Sequence, residues 1–190
     1  EFRASGVPSI RVIVVDNDSS SAAGLQICED FHSFRWELEA VREERKGISF
    51  SRNRALRRAL ELAVDAIVFI DDDEVPEPEW LDGLLQVHCA SGAEIVSGPV
   101  EPWFETPVPD WVIQGKFFDR GRFPTGTEIP FARTGNLLLD ARFLESSGLL
   151  FDERFGLSGG EDTLLTLKLK KLGARIVWAD NAPVRESVPA

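Results

Sequence analysis

Apolar residues follow two rhythms along this chain: short unbroken runs, and stretches where they recur every third or fourth position. Arg11-Val12-Ile13-Val14-Val15, Ala66-Ile67-Val68-Phe69-Ile70, Ile95 to Val100, Asn136-Leu137-Leu138-Leu139 and Arg175-Ile176-Val177-Trp178 are runs rich in β-branched or bulky residues. Runs of that length read as strands buried on both faces. Trp36 to Val41 alternates apolar and polar positions, the pattern of a half-exposed strand. Between the runs, helical spacing predicts helices over about 21–31 and 51–64, the second with Ala55, Leu56, Ala59, Leu60 and Ala63 on one face. Pro78 suits the first turn of a helix carrying Trp80, Leu81, Leu84, Leu85 and Val87, and Gly173 closes a helix over Thr163 to Leu172. Strand and helix alternation predicts an α/β fold, with a mostly parallel central sheet flanked by helices on both sides. Without repeats, low-complexity tracts or a linker, the chain reads as one domain.

The second of these runs carries chemistry. Ala66–Ile70 runs straight into Asp71-Asp72-Asp73-Glu74, followed by the breakers Pro76 and Pro78. Acids at the carboxyl end of a buried strand lie where open α/β folds bind ligands. Anions packed side by side repel one another unless a cation joins them. Their oxygen ligands suit Mg2+ or Mn2+, usually held by one or two carboxylates plus substrate phosphates. A solvated acidic turn is the plainer alternative.

Composition narrows the field. In 190 residues, 43% hydrophobic and 28% charged is ordinary for a globular domain. The net charge of -11 argues against a nucleic-acid-coating surface, so no nucleic acid is expected as a partner. Cys28 and Cys89 lack metal-ligand spacing and read as buried thiols. No apolar run reaches membrane-spanning length and no signal peptide is evident, which gives the expectation of a cytoplasmic location. The lack of Met and the start at Glu1-Phe2-Arg3 suggest a piece of a longer protein, cut at both ends.

Four loops hold chemistry-capable residues in order: Asp16-Asn17-Asp18, Lys46 through Arg52, Asp71-Asp72-Asp73, and Gly160-Glu161-Asp162. In this order and spacing they resemble glycosyltransferase family 2, enzymes of the GT-A nucleotide-sugar fold, over about Arg11 to Pro189. Phe69 to Pro76, Pro99-Val100-Glu101-Pro102, Gly115-Lys116-Phe117-Phe118 and Val184 to Pro189 look most like bacterial exopolysaccharide enzymes, above all succinoglycan glucosyltransferases. The family also begins with a central strand and turn that nothing before Val7 supplies. The expectation is therefore a catalytic domain over 1–190 that lacks its first strand-helix unit and its C-terminal extension.

The resemblance implies roles. Asp16, Asn17 and Asp18 form the turn that holds the nucleobase; some relatives carry a base-contacting Asp where this chain has Asn17, whose amide can pair with a uracil imide. Arg52 matches a nucleotide contact. Asp71 and Asp72 face the nucleotide, Asp73 with Asp71 holds the metal, and Asp162 stands at the catalytic base. Trp80, Asn136 and Glu161 join Trp103 and Trp111, from the Pro- and Gly-rich segment Pro102 to Pro130, on the acceptor side. The implied reaction is metal-dependent, inverting transfer of a hexose, with Mg2+ or Mn2+, from a UDP-sugar to a saccharide or lipid-linked acceptor in polysaccharide biosynthesis. Such an acceptor would place the protein peripherally at the inner face of the plasma membrane. Two other classes stay open: an aspartate-dependent phosphoryl-transfer hydrolase, although Glu74-Val75 does not fit its motif, and a non-catalytic nucleotide- or glycan-binding module.

Overall fold

The first apolar run forms strand β1 (Arg11–Asn17), followed by helix α1 (Ala23–Asp30) and the alternating strand β2 (Glu37–Glu43). Helix α2 (Ile48–Glu61), strands β3 (Ala66–Ile70) and β4 (Glu74–Pro76), and helix α3 (Trp80–Ser91) come next. Strands β5 (Ile95–Ser97) and β6 (Val100–Phe104) lead into α4 (Asp110–Gly115), β7 (Asn136–Asp140) and α5 (Ala141–Ser147). A 3₁₀ turn at Glu153–Phe155, helix α6 (Glu161–Lys171) and strands β8 (Ile176–Trp178) and β9 (Val184–Val188) complete the order. These elements come from a computed structural model that describes residues 9–17, 22–31, 36–118 and 120–188.

The strands form three sheets: β1-β2, β3-β7-β5-β8 and β4-β9-β6. The α/β class with flanking helices is as expected, but the central sheet is mixed instead of mostly parallel. Strand β7 runs antiparallel to both neighbours, pairing Ile70 with Asn136 and Ser97 with Leu137, while β5 and β8 are parallel. A parallel neighbour needs a crossover that returns the chain to the same end of the sheet. Strand β7 follows the excursion over 105–135 instead and enters from the opposite end. That reversal sets the start of β7 beside the end of β3, where the acids begin.

Period-two alternation gives the four-stranded sheet two apolar faces. Leu137, Leu139, Ile95 and Ile176 pack with Leu56 of α2 and Leu165 and Leu169 of α6. Leu138, Val96 and Val177 pack with Leu84 and Val87 of α3. Ile13 of β1 joins the first cluster, although no ladder ties β1-β2 to the larger sheets among the described residues.

Three local expectations change. The run Ile95 to Val100 splits at Gly98-Pro99, because Pro99 has no N–H and a Cβ at Gly98 would lie 2.4 Å from the Ala182 carbonyl oxygen. Pro102 sits in β6, an edge strand, where a missing donor is tolerated. The segment from Pro102 to Pro130 contains a short helix, α4, and its far end is docked by the Ile129 N–H donating to Ile176 O at 2.9 Å. Cys28 is half-buried and Cys89 exposed, neither in a disulfide, so the expected burial of both thiols does not hold. Among the described residues, no helix is long and apolar enough to cross a membrane.

Candidate active site

The acids after β3 fold into a closed turn. The Asp71 N–H donates to Glu74 Oε2 at 2.8 Å, and the Glu74 N–H donates back to the Asp71 carbonyl at 3.2 Å. Asp72 and Asp73 are exposed, and the Asp73 carbonyl accepts from the Ser187 N–H of β9 at 2.8 Å. Glu74 is different: it is 8% exposed, and its Oε1 would sit 2.4 Å from any Cβ added at Gly135. With no side chain at Gly135, the turn before β7 packs directly on that carboxyl. Burial pushes the Glu74 carboxyl up to about 8, against the hydrogen bond from Asp71 and with help from the charges of Asp71, Glu186 and Asp73.

Arg52 projects from α2, whose start is clamped by Gly47. There φ is +131° and a Cβ would fall 2.7 Å from the Gly156 carbonyl oxygen. The Arg52 guanidinium donates to Asp71 Oδ1 at 2.9 Å and, through its other arm, to Glu161 Oε1. Glu161 opens α6 after Gly159 and Gly160, which take φ of 75° and 92°. Asp162, half-buried beside it, accepts from the Thr163 N–H at 2.6 Å and from the Thr134 N–H at 3.4 Å. Thr134 is followed by the Gly135 that covers Glu74. The end of β3, the start of β7, the first turn of α6 and the middle of α2 therefore meet in one hydrogen-bonded cluster.

The structure brings Arg52, Asp71, Asp72, Asp73, Glu161 and Asp162 together and reassigns several others. Asn136 is 1% exposed and its amide is fully engaged, donating to Pro99 O and Ala182 O at 3.0 and 2.7 Å and accepting from the Trp80 indole at 2.8 Å. Neither that amide nor the Trp80 N–H is left to contact an acceptor; the pair braces the junction of two sheets. Glu161, also 1% exposed, faces Arg52. Asp16 caps α1, accepting from Gly24 and Leu25 N–H groups at 2.9 and 3.3 Å. Asn17 donates to Glu43 O and Arg45 O and accepts from the Gly47 N–H at 3.0 Å, so its side chain holds the loop between β2 and α2. Asp18 lies outside the described residues.

Trp103 and Trp111 are exposed at 48% and 65%, which excludes core packing for either. Trp103 pairs across the ladder with Ser187, the residue that binds Asp73, so this aromatic lies one strand over from the acid turn. Trp111 meets Phe117 edge to face at 5.9 Å and lines an apolar hollow of about 360 Å3 with Phe104, Val108 and Phe118. Glu74 and Thr134 are the site residues the sequence reading missed. The Thr-Gly pair facing a carboxylate run was the available signal for both.

Among the described residues, no three His, Cys, Asp or Glu side chains are grouped to hold a metal ion. The donor set still fits a divalent cation completed by a ligand, since such ions often take one or two carboxylates and draw the rest from phosphates and water. Asp71 offers a carboxylate oriented by Arg52, and Asp73 an exposed one two residues on.

Comparison with known proteins identifies the class. The model of glycosyl transferase family 2 matches residues 3–148, and the chain belongs to that family. It is 31% identical over 180 residues to succinoglycan biosynthesis protein ExoM of Rhizobium meliloti, an alignment covering 95% of this chain and 57% of that protein. It is 29% identical over 175 residues to glucosyl-dolichyl phosphate glucuronosyltransferase of Haloferax volcanii, covering 91% of this chain and 51% of the other. The chain thus spans about half the length of these relatives. The fold matches that of GalNAc-T7 with UDP, GalNAc and Mn2+ at a TM-score of 0.71 and 14% identity, over 94% of this chain and 38% of the other. It also matches S. aureus TarS 1-349 in complex with UDP-GlcNAc at 0.69 and 21% identity, over 95% and 50%. Both likenesses speak for the GT-A fold. The phosphoryl-transfer alternative loses its support.

Proposed function

We propose that this chain is the catalytic domain of a metal-dependent, inverting glycosyltransferase that moves a hexosyl group from a UDP-sugar to a saccharide or lipid-linked saccharide in polysaccharide biosynthesis. One observation carries the reading: the acid turn and Asp162 come from distant parts of the chain and are tied together through Arg52, Glu161 and Thr134. The succinoglycan relative supports the polysaccharide assignment, and the UDP-bound fold relatives support the donor class.

Asp73 and Asp71 would hold Mg2+ or Mn2+, which when bound supplies positive charge against the departing diphosphate. Asp162 accepts the proton of the acceptor hydroxyl as its oxygen bonds to the anomeric carbon. The bond from that carbon to the diphosphate breaks and its electron pair leaves with the phosphate. Attack from the opposite face turns an α-linked donor into a β-linked product. Bonds from the Thr134 and Thr163 N–H groups fix the Asp162 carboxylate while leaving acceptor capacity on both oxygens. Asp162 contributes through its position against the acceptor hydroxyl.

The test is a panel of nucleotide-sugars with Mn2+, read as donor hydrolysis and as transfer to saccharide acceptors. Asp162→Asn is expected to lower turnover about 10²–10⁴-fold while leaving UDP affinity nearly intact. Wild-type turnover in that variant would place the base elsewhere. Failure of every donor to react would favour a non-catalytic binding module.

A further inference from the structure

Arg52, 9% exposed, places its guanidinium between two carboxylates that come from different elements, 19 and 109 residues away in sequence. One arm reaches Asp71, the first residue of the acid turn, at 2.9 Å. The other reaches Glu161, the residue directly before Asp162. The guanidinium carbon also lies 6.0 Å from the centre of the Phe151 ring, which limits its freedom on a third side. Glu161 Oε2 is buried with no hydrogen-bond partner.

Such an arrangement is a poor source of stability. Charges removed from water incur desolvation that their attraction only partly offsets, and apolar residues of similar volume often serve as well or better. Its geometric content is another matter. A guanidinium is a rigid planar fork, and two carboxylates bound to its two arms are held at a set separation.

We propose that Arg52 and Glu161 form a positioning strut that sets the distance between the acid turn and the Asp162-bearing end of α6. Arg52 then acts through Asp71 and Glu161, and Glu161 acts through Arg52. The inference rests on the glycosyltransferase reading above. It adds that occupancy at the acid turn is felt at Asp162, because one rigid group touches both sides.

The double variant Arg52→Met/Glu161→Leu removes the strut without leaving a buried charge alone, and should fold. Its turnover is expected to fall about ten- to hundredfold from misplacement of the base, a larger loss than that of Mn2+–UDP affinity measured by calorimetry, which changes only as far as Asp71 loses the group that orients it. Hydrogen exchange gives a second readout. In wild type, Mn2+–UDP should slow exchange at the amides of 162–165, and in the double variant that protection should vanish. Unchanged turnover and retained protection in a folded double variant would overturn the proposal. So would a loss of UDP affinity of about tenfold or more with turnover kept, which marks Arg52 as a direct contact. If the double variant does not fold, two single changes decide. Glu161→Gln keeps an acceptor for the fork and should hold turnover within about threefold, whereas Arg52→Lys keeps charge without the fork and should lose about tenfold or more; the opposite order overturns the strut. A wild-type chain that turns over no nucleotide-sugar overturns the glycosyltransferase reading itself, and the strut falls with it.

Discussion

Glu74 lies closed off between the acid turn and Gly135, and its carboxyl, raised to about 8, is largely protonated at neutral pH. The same group in the unfolded chain titrates near 4.5. Between those two values the folded state binds more protons, so stability is fully present below about 4.5 and falls as pH rises toward 8. In metal-free protein, urea unfolding should therefore show wild type losing on the order of a few kcal/mol between pH 5 and pH 8 from this group. Glu74→Gln, which keeps the shape and an acceptor for the Asp71 N–H, should flatten that slope. Parallel slopes in the two proteins would mean that Glu74 ionises normally. The charged state of this residue was not legible in the sequence, where it looks like the fourth member of a uniform acidic run. Its neighbours Asp72 and Asp73 stay exposed, while Glu74 is enclosed where β4 meets β9 and Gly135.

At the scale of elements, α4 carries Trp111 and Ile113 into solvent at 65% and 57% exposure. So short a helix has few hydrogen bonds of its own and leans on its aromatic contacts, Trp111 on Phe117 and Phe104 on Phe118. Its chain neighbour β6 pairs with β9, which binds the acid turn through the Ser187 N–H, so this aromatic surface belongs to the same sheet as that turn. We expect Trp111→Ala to raise the acceptor Michaelis constant at least about fivefold with little change for the donor, the pattern of lost uniform binding to one substrate. Melting temperature should move little, because the side chain is mostly exposed. Equal constants for wild type and variant would detach α4 from acceptor binding. The sequence marked this segment by its Pro, Gly and aromatic content but predicted neither the helix nor the hollow. The hollow is lined jointly by Phe118 and by Val188 from β9, residues distant in sequence.

For the whole molecule, a net charge of -11 and a cluster holding Asp71, Asp72, Asp73, Glu161 and Asp162 make a hostile setting for a diphosphate. The buried Arg52 is already shared between two of those acids. UDP binding should then require a divalent ion: calorimetry with Mn2+ should give a measurable heat that excess chelator abolishes. Asp73→Ala should weaken the Mn2+-dependent binding. Equal affinity with and without chelator would remove the metal from the mechanism.

The strands β1, β2, β3, β5, β7 and β8, the helices α1, α2, α3 and α6, and the acid turn after β3 were readable from residue pattern, because alternation and apolar runs report local burial directly. The ordered motifs also carried the family. Strand direction was not readable: β7 pairs with β3 and β5 at long range, and nothing in Asn136-Leu137-Leu138-Leu139 states which way it runs. The same holds for side-chain duty. Asn136, Asp16, Asn17 and Glu161 are polar residues in the right loops, and the sequence assigned them to ligands. What only the tertiary structure shows is that these side chains also bind backbone groups and Arg52, because most polar atoms that the fold encloses are partnered within it.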